Sequence, residues 1–338
     1  MKIGKIFLIL TIIVIFLGGA YFYYIQYNEG ALPSFINTVH TTNKKYIIEK
    51  SGRIVTSVDT LEEAIEEAKK QKRAIAINTY NGEWVYSEFK PFFIVTENAV
   101  HDFEDFREAV SYAKSNEHST IYYKNKNTII WESNIEEVDE IYLDVPLIAQ
   151  QPELDRGCEV TSLAMILRYA GFNVDKLELA EKIKKEKAPC KAQNGRIQAG
   201  NPYDGFVGDM YSIDNPGYGV YHGPIVELAQ QYCGNRVVDL TGLSFEEITY
   251  MLQKGYPIWI ITNADYRPLD DSKFQIWHTP TGIVKITYRL HSVVITGISE
   301  ENIYINDPSS NTKNNAYNKE KFIKAWEQMG NQAIAILN

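Results

Sequence analysis

Cysteine is scarce here: three residues in 338, with no CxxC pair and no Cys/His spacing of the zinc-binding kind. A structural metal site is therefore not indicated. Basic clusters are missing too. Net charge is −9, and no run of lysine or arginine follows the N-terminal segment. Nucleic acid is not the expected partner, because affinity for phosphate backbones comes largely from Lys and Arg. Histidine is limited to six, and only His222, His278 and His291 follow Cys158.

What is present is ordinary globular material, 45% apolar and 23% charged. At roughly 100–200 residues per domain, the length predicts two folded units plus a tail. The tail is the first 25 residues. Lys2 and Lys5 precede an almost unbroken apolar run from Ile6 to Ile25, and twenty residues at about 1.5 Å rise span about 30 Å, the thickness of a hydrocarbon core. Tyr21, Phe22, Tyr23 and Tyr24 are aromatics of the membrane interface. The positive charge at the short end predicts a single-pass transmembrane helix at the cell membrane, with the rest of the chain outside. Gly18-Gly19-Ala20 offers small residues for cleavage, which would make the protein secreted. Residues 26–44 read as a stalk.

Residues 45–135 repeat with an offset of 45 positions. Thr60 with Glu63, and Asp105 with Glu108, are capping-box signatures opening one helix per copy. Leu61, Ala64, Ile65 and Ala68 follow helical spacing, as do Phe106, Ala109, Val110 and Ala113. Flanking runs rich in Ile, Val, Tyr and Trp read as strands. The expectation is a small α+β tandem-repeat domain. Trp84 and Trp131 hold nearly equivalent places; core packing is their expected fate, stacking on a sugar or peptide the alternative.

After the acidic linker Glu136, Glu137, Asp139 and Glu140, residues 140–338 form a non-repeating domain. Helices are predicted at 158–170, 175–185, 223–233, 244–254 and 318–328, with a long loop over 186–222. Strands are predicted near 256–262, 283–288, 291–298, 302–307 and 332–337. Helices first and an antiparallel sheet afterwards is an α+β arrangement.

Chemistry concentrates in that domain. Cys158 stands where a helical pattern begins, and the pattern ends at Gly171. A helix N-terminus offers unpaired N–H groups and positive dipole, both favouring a thiolate and then an oxyanion. Gly157 leaves room for substrate at the sulfur, and a preceding glutamine can donate to the same oxyanion. The base and its orienter remain to be found. His291 opens an apolar strand, and the next strand delivers Asp307. Antiparallel neighbours about 4.8 Å apart, turning at Ser299–Glu301, would bring the two together. His278 lies in a loop without such a partner, and His222 sits at a helix start where it can line a groove. Each signal is weak alone; their order is what points to a nucleophile. Cys190 and Cys233 can be bridged only if their α-carbons approach within about 7 Å; the alternative is two unpaired, half-buried thiols.

Leu143 to Leu167, above all Gln150 to Leu163 with Gly157-Cys158-Glu159-Val160-Thr161-Ser162-Leu163, resembles the Peptidase_C39-like cysteine peptidases, relatives of bacteriocin-leader processing peptidases. Gly200-Asn201-Pro202-Tyr203, Phe206-Val207-Gly208-Asp209, Gly217 to Tyr221, His291 to Gly297 and Tyr304 to Pro308 continue the likeness. The resemblance covers about 140–338 and implies a papain-like fold with thiol peptidase chemistry. It implies Cys158 as nucleophile, His291 as base, Asp307 as orienting residue and Gln150 as oxyanion donor, with Gln151 the alternative. No cofactor is implied. Transporter and ATPase segments of the leader-processing members are absent from this sequence, so double-glycine leaders do not carry over as substrate. The expected substrate is a peptide or a cell-envelope amide. Amide hydrolysis in the cell wall, acyl transfer and a non-catalytic envelope-binding protein are the competing readings.

Overall fold

The computed structural model describes residues 43–337 except 51–52, 97–98, 117–118, 134–139 and 192–193. The apolar segment 6–25 and most of the stalk lie outside the described residues. Among the described residues no helix is long and apolar enough to cross a membrane. The chain divides into two compact units, 1–134 and 135–338.

The first unit contains β1 (Tyr46–Lys50), β2 (Arg53–Val58), α1 (Leu61–Lys69), β3 (Ala74–Asn78) and β4 (Trp84–Ser87), then β5 (Phe92–Val95), β6 (Val100–Phe103), α2 (Phe106–Lys114), β7 (Thr120–Tyr123) and β8 (Asn125–Glu132). Two antiparallel four-stranded sheets result, with orders β2-β1-β3-β4 and β6-β5-β7-β8. Thr60 accepts the Glu63 N–H and Asp105 accepts those of Arg107 and Glu108, so each helix is capped where its donors are orphaned. Ala64 and Ala68 pack with Ile48, Ala74 and Ala76. Leu61, expected on that stripe, is exposed at the first helical position.

The opposite face of the first sheet is also covered. Ile47, Ile75, Ile77 and Trp84 join Phe93 and Val100 in a second cluster, and Trp84 stacks on Phe93 at 5.3 Å between centroids. Both Trp84 and Trp131 are buried, which makes them core residues rather than a stacking platform.

The second unit begins with β9 (Glu140–Tyr142), α3 (Cys158–Tyr169) and α4 (Lys176–Lys182). Four two-residue strands follow: β10 (Lys185–Glu186), β11 (Cys190–Lys191), β12 (Ile197–Gln198) and β13 (Phe206–Val207). Then come α5 (His222–Cys233), β14 (Val237–Asp239), α6 (Phe245–Gln253), β15 (Ile258–Asn263), β16 (Gln275–Thr279) and β17 (Gly282–Ile286). The unit ends with β18 (Leu290–Ser299), β19 (Asn302–Asn306), β20 (Asn315–Asn318), α7 (Lys319–Gln328) and β21 (Ala333–Ile336).

This is a mixed helix and strand fold. The main sheet is antiparallel with order β14-β21-β15-β18-β19-β20, and β9 adds to the far half of β18. A second sheet, β11-β12-β16-β17, holds the exposed hairpin. The stretch expected as one long loop over 186–222 is thus pinned by short strands, too brief to leave a periodic signal, and the helix expected to reach 185 stops at Lys182. His278 belongs to β16, opposite Ile283, rather than to a loop.

Every residue from Cys158 to Leu167 is buried. Such a helix needs cover on all sides, and α3 has it: β18 and β15 on one side, α4 and α5 on the others. That central placement fixes the position of its first residue.

Candidate active site

Cys158 is the first residue of α3, and no side chain caps that helix N-terminus. Gly157 is demanded by packing, since a Cβ there would lie 2.5 Å from the Leu154 Cβ. The thiol donates to Glu159 Oε2 at 3.3 Å, and the backbone of Ser292, the neighbour of His291, favours the thiolate form. Burial first, then the charge of Glu159, push the thiol well above its usual range, while the Ser292 backbone works the other way.

β18 and β19 pair antiparallel with Val294 opposite Asn306. His291 and Asp307 therefore extend from the same end of the two strands. His291 Nε2 bonds Asp307 Oδ1 at 2.8 Å, leaving Nδ1 as the other face of the ring. Ser309 N–H donates to Oδ1 at 2.7 Å and Tyr266 O–H to Oδ2 at 2.7 Å. Burial alone would raise the Asp307 carboxyl, but these three donors outweigh it and hold it below the ordinary range.

Gln150 and Gln151 part company. Gln151 is exposed and donates to Asp155 Oδ1 at 3.1 Å. Gln150 is buried; its backbone N–H bonds Pro308 O at 2.9 Å and its Nε2 donates to Asp155 O at 3.2 Å. It thus stands between the residue after Asp307 and the turn entering α3. Its Oε1 is buried without a hydrogen-bond partner. His222 pairs instead with Asp239, Nδ1 to Oδ2 at 3.0 Å. Cys190, exposed, and Cys233, buried, are both free thiols, so the bridge considered for them is not made.

Residues 142–334 match the model of the Peptidase_C39 like family. The chain belongs to that family. It is 47% identical over 196 residues, 57% of this chain and 75% of the relative, to the uncharacterized protein YvpB of Bacillus subtilis (strain 168). It also resembles the crystal structure of a candidate C39-like peptidase from Bacillus anthracis, at 48% identity and a TM-score of 0.56, covering 60% of this chain and 98% of that one.

Four further residues shape this part of the family domain and were not picked out from the sequence. Glu159 is fully buried beside the sulfur. Tyr266, from the loop after β15, braces Asp307. Lys176, buried at the start of α4, donates to Ala149 O, Gln150 O and Glu153 Oε2 at 2.6, 3.0 and 2.7 Å and so clamps the glutamine loop. Arg156 donates to the carbonyls of Asp209, Ser212 and Ile213, docking the 209–216 loop against the residues before Cys158. Of these only Glu159 left a signal, an acid inside an otherwise apolar helical run.

Proposed function

We propose that the second unit is a papain-like thiol hydrolase that cleaves a peptide or amide bond through an acyl-enzyme on Cys158. The observation that carries this reading is the joint placement of a sulfur at an uncapped helix start and of the hydrogen-bonded His291–Asp307 pair at the end of the strands, β18 of which packs against that helix. Family membership supports the reaction class.

In this mechanism His291 Nδ1 takes the thiol proton, with Asp307 holding the ring by Nε2. The thiolate adds to the substrate carbonyl carbon, forming a C–S bond and an oxyanion. The Cys158 backbone N–H and an N–H of Gln150 Nε2 stabilise that oxyanion. Collapse breaks the C–N bond, and the leaving amine carries off the proton held by His291. Neutral His291 then takes a proton from water as it attacks the thioester, releasing the acid and restoring the thiol. No cofactor is required. A groove of about 420 Å³ is lined by Arg156, two residues before Cys158, together with Ile197, Ile213, Gly217 and Tyr288.

The proposal includes an outward-facing position at the cell membrane, held by residues 6–25, with release if that segment is cut. Protease added to intact cells is expected to digest the second unit; full protection would refute the placement. For the chemistry, a peptide library and cell-wall fragments are incubated with native, Cys158→Ala and His291→Ala chains. Cleavage by the native chain alone is expected, and cleavage that survives Cys158→Ala overturns the proposal.

A further inference from the structure

Glu159 takes part in none of the steps above, yet it touches the reacting sulfur. Its Oε2 accepts from the Cys158 thiol at 3.3 Å and its Oε1 accepts the Val220 N–H at 2.9 Å. Trp259 Nε1 donates to its backbone carbonyl at 2.9 Å. Room for the carboxyl is provided by Gly219, where a Cβ would fall 2.2 Å from Oε1. The berth is built.

The groups facing it come from three directions. His291, on β18, favours the carboxylate form when protonated. Tyr218 and Tyr221, on the loop entering α5, are joined hydroxyl to hydroxyl at 3.0 Å, and burial keeps both neutral. The charge of Asp307 opposes the thiolate. Burial pushes Glu159 up to about 7, against the pull of the Val220 N–H.

We propose that Glu159 is a further catalytic residue, one that sets the protonation of Cys158: as a neutral acid it donates a hydrogen bond to the thiolate, and as a carboxylate it holds the thiol proton. This rests on Cys158 being the nucleophile. In the forward step the S–H proton passes to His291, the sulfur keeps the electron pair, and the Glu159 O–H turns to the thiolate. When Glu159 is ionised the same step sets two anions side by side in a buried site, and the thiol form is favoured. Reactivity of Cys158 is therefore restrained as pH rises through neutrality, opposite to the trend of a free cysteine.

The test is the iodoacetamide rate at Cys158, read by mass spectrometry, in full-length native and Glu159→Gln chains. The ratio of variant to native is expected to climb from within about twofold near pH ~5.5 to about tenfold near pH ~8.5, since Gln lacks the charge that appears in between. A ratio that is flat with pH, or below one throughout, overturns the proposal. Should the Gln variant not fold, the carbon-13 carboxyl signal of Glu159 is followed in the native chain. Two titration steps, the upper one missing in Cys158→Ala, are expected, and a single step indifferent to Cys158→Ala overturns it. His291→Ala reports separately on the nucleophile reading: unchanged labelling there removes the base, whatever Glu159 does.

Discussion

Ser162 Oγ donates to the Ser292 carbonyl at 3.1 Å, four residues after Cys158 on α3 and one after His291 on β18. One turn of helix separates Ser162 from the sulfur, so this bond ties the two elements that carry the candidate nucleophile and base. Both serines are fully buried. It is a direct polar link between a helix and a strand that the chain brings together from far apart in sequence.

Ser162→Ala removes that link while leaving the apolar packing of α3 intact. A lost buried hydrogen bond costs about 1 kcal/mol, which in a unit of this size lowers Tm by about 2–4 °C. Iodoacetamide labelling of Cys158 is expected to slow as well, because the sulfur and imidazole lose their common register. A thermal melt and the labelling rate check both; a variant unchanged in both would show the bond to be incidental.

Tyr266→Phe tests the brace on Asp307. The phenol donates to Oδ2 at 2.7 Å, and its ring packs on Tyr317 and Phe322 at 4.2 and 5.9 Å. The variant keeps the packing and leaves a buried carboxylate oxygen short of a donor, so the Asp307 carboxyl rises. Asp307 is held low in the native fold, so its stabilising contribution is complete above the ordinary carboxylate range and fades as pH falls through its lowered value. In Tyr266→Phe the folded-state value lies closer to the ordinary one, so the contribution is smaller and its loss is complete at higher pH. Expected are an acid limb of activity displaced upward and kcat/KM reduced about tenfold at neutral pH; an unmoved acid limb would deny Tyr266 any hold on the pair.

The meeting of His291 with Asp307 was legible because it follows from strand polarity and one short turn, both written in local apolar alternation and in Ser299–Glu301. The start of α3 was legible for the same reason: an apolar run bounded by Gly157 and Gly171. Glu159 was not. An acid in the first turn of a helix ordinarily favours the dipole from the solvent side, and only the distant Gly219–Val220 segment turns this one inward. Gln150 was preferred to Gln151 by resemblance alone, since their separation depends on which backbone N–H finds Pro308. Tyr266, Lys176 and Arg156 act through loops and buried carbonyls that have no periodicity. Strands β10 to β13 are two residues long, below the reach of any alternation.

Gly219→Ala probes the berth of Glu159. Its new Cβ would meet Glu159 Oε1 at 2.2 Å and Leu290 Cδ2 at 2.5 Å. Overpacking of this kind costs about 1–3 kcal/mol. Part of that cost disappears when Glu159→Ala empties the space, so the double variant is expected to be more stable than the sum of the two singles predicts. The cycle is read from denaturant midpoints, with a coupling of about 1 kcal/mol or more expected. Strict additivity would place the clash elsewhere.

Glu159→Gln is also a stability experiment with a definite sign. An acid whose value rises from an ordinary 4.5 to about 7 on folding binds its proton more tightly in the native chain than in the unfolded one. Between those two values the native state carries the extra proton, so native stability falls as pH rises across the interval and then levels off. The full loss is on the order of 3 kcal/mol. Glutamine keeps an oxygen for the Val220 N–H and has nothing to ionise, so it escapes the slope. Surface charges away from the berth are common to both chains and cancel in the difference. The Tm of Glu159→Gln minus that of the native chain should therefore grow by several degrees from about pH 4.5 to about pH 7.5. A difference that stays constant over this range would mean that the carboxyl ionises at no cost, and that the buried berth between Cys158 and Val220 is open to water in solution.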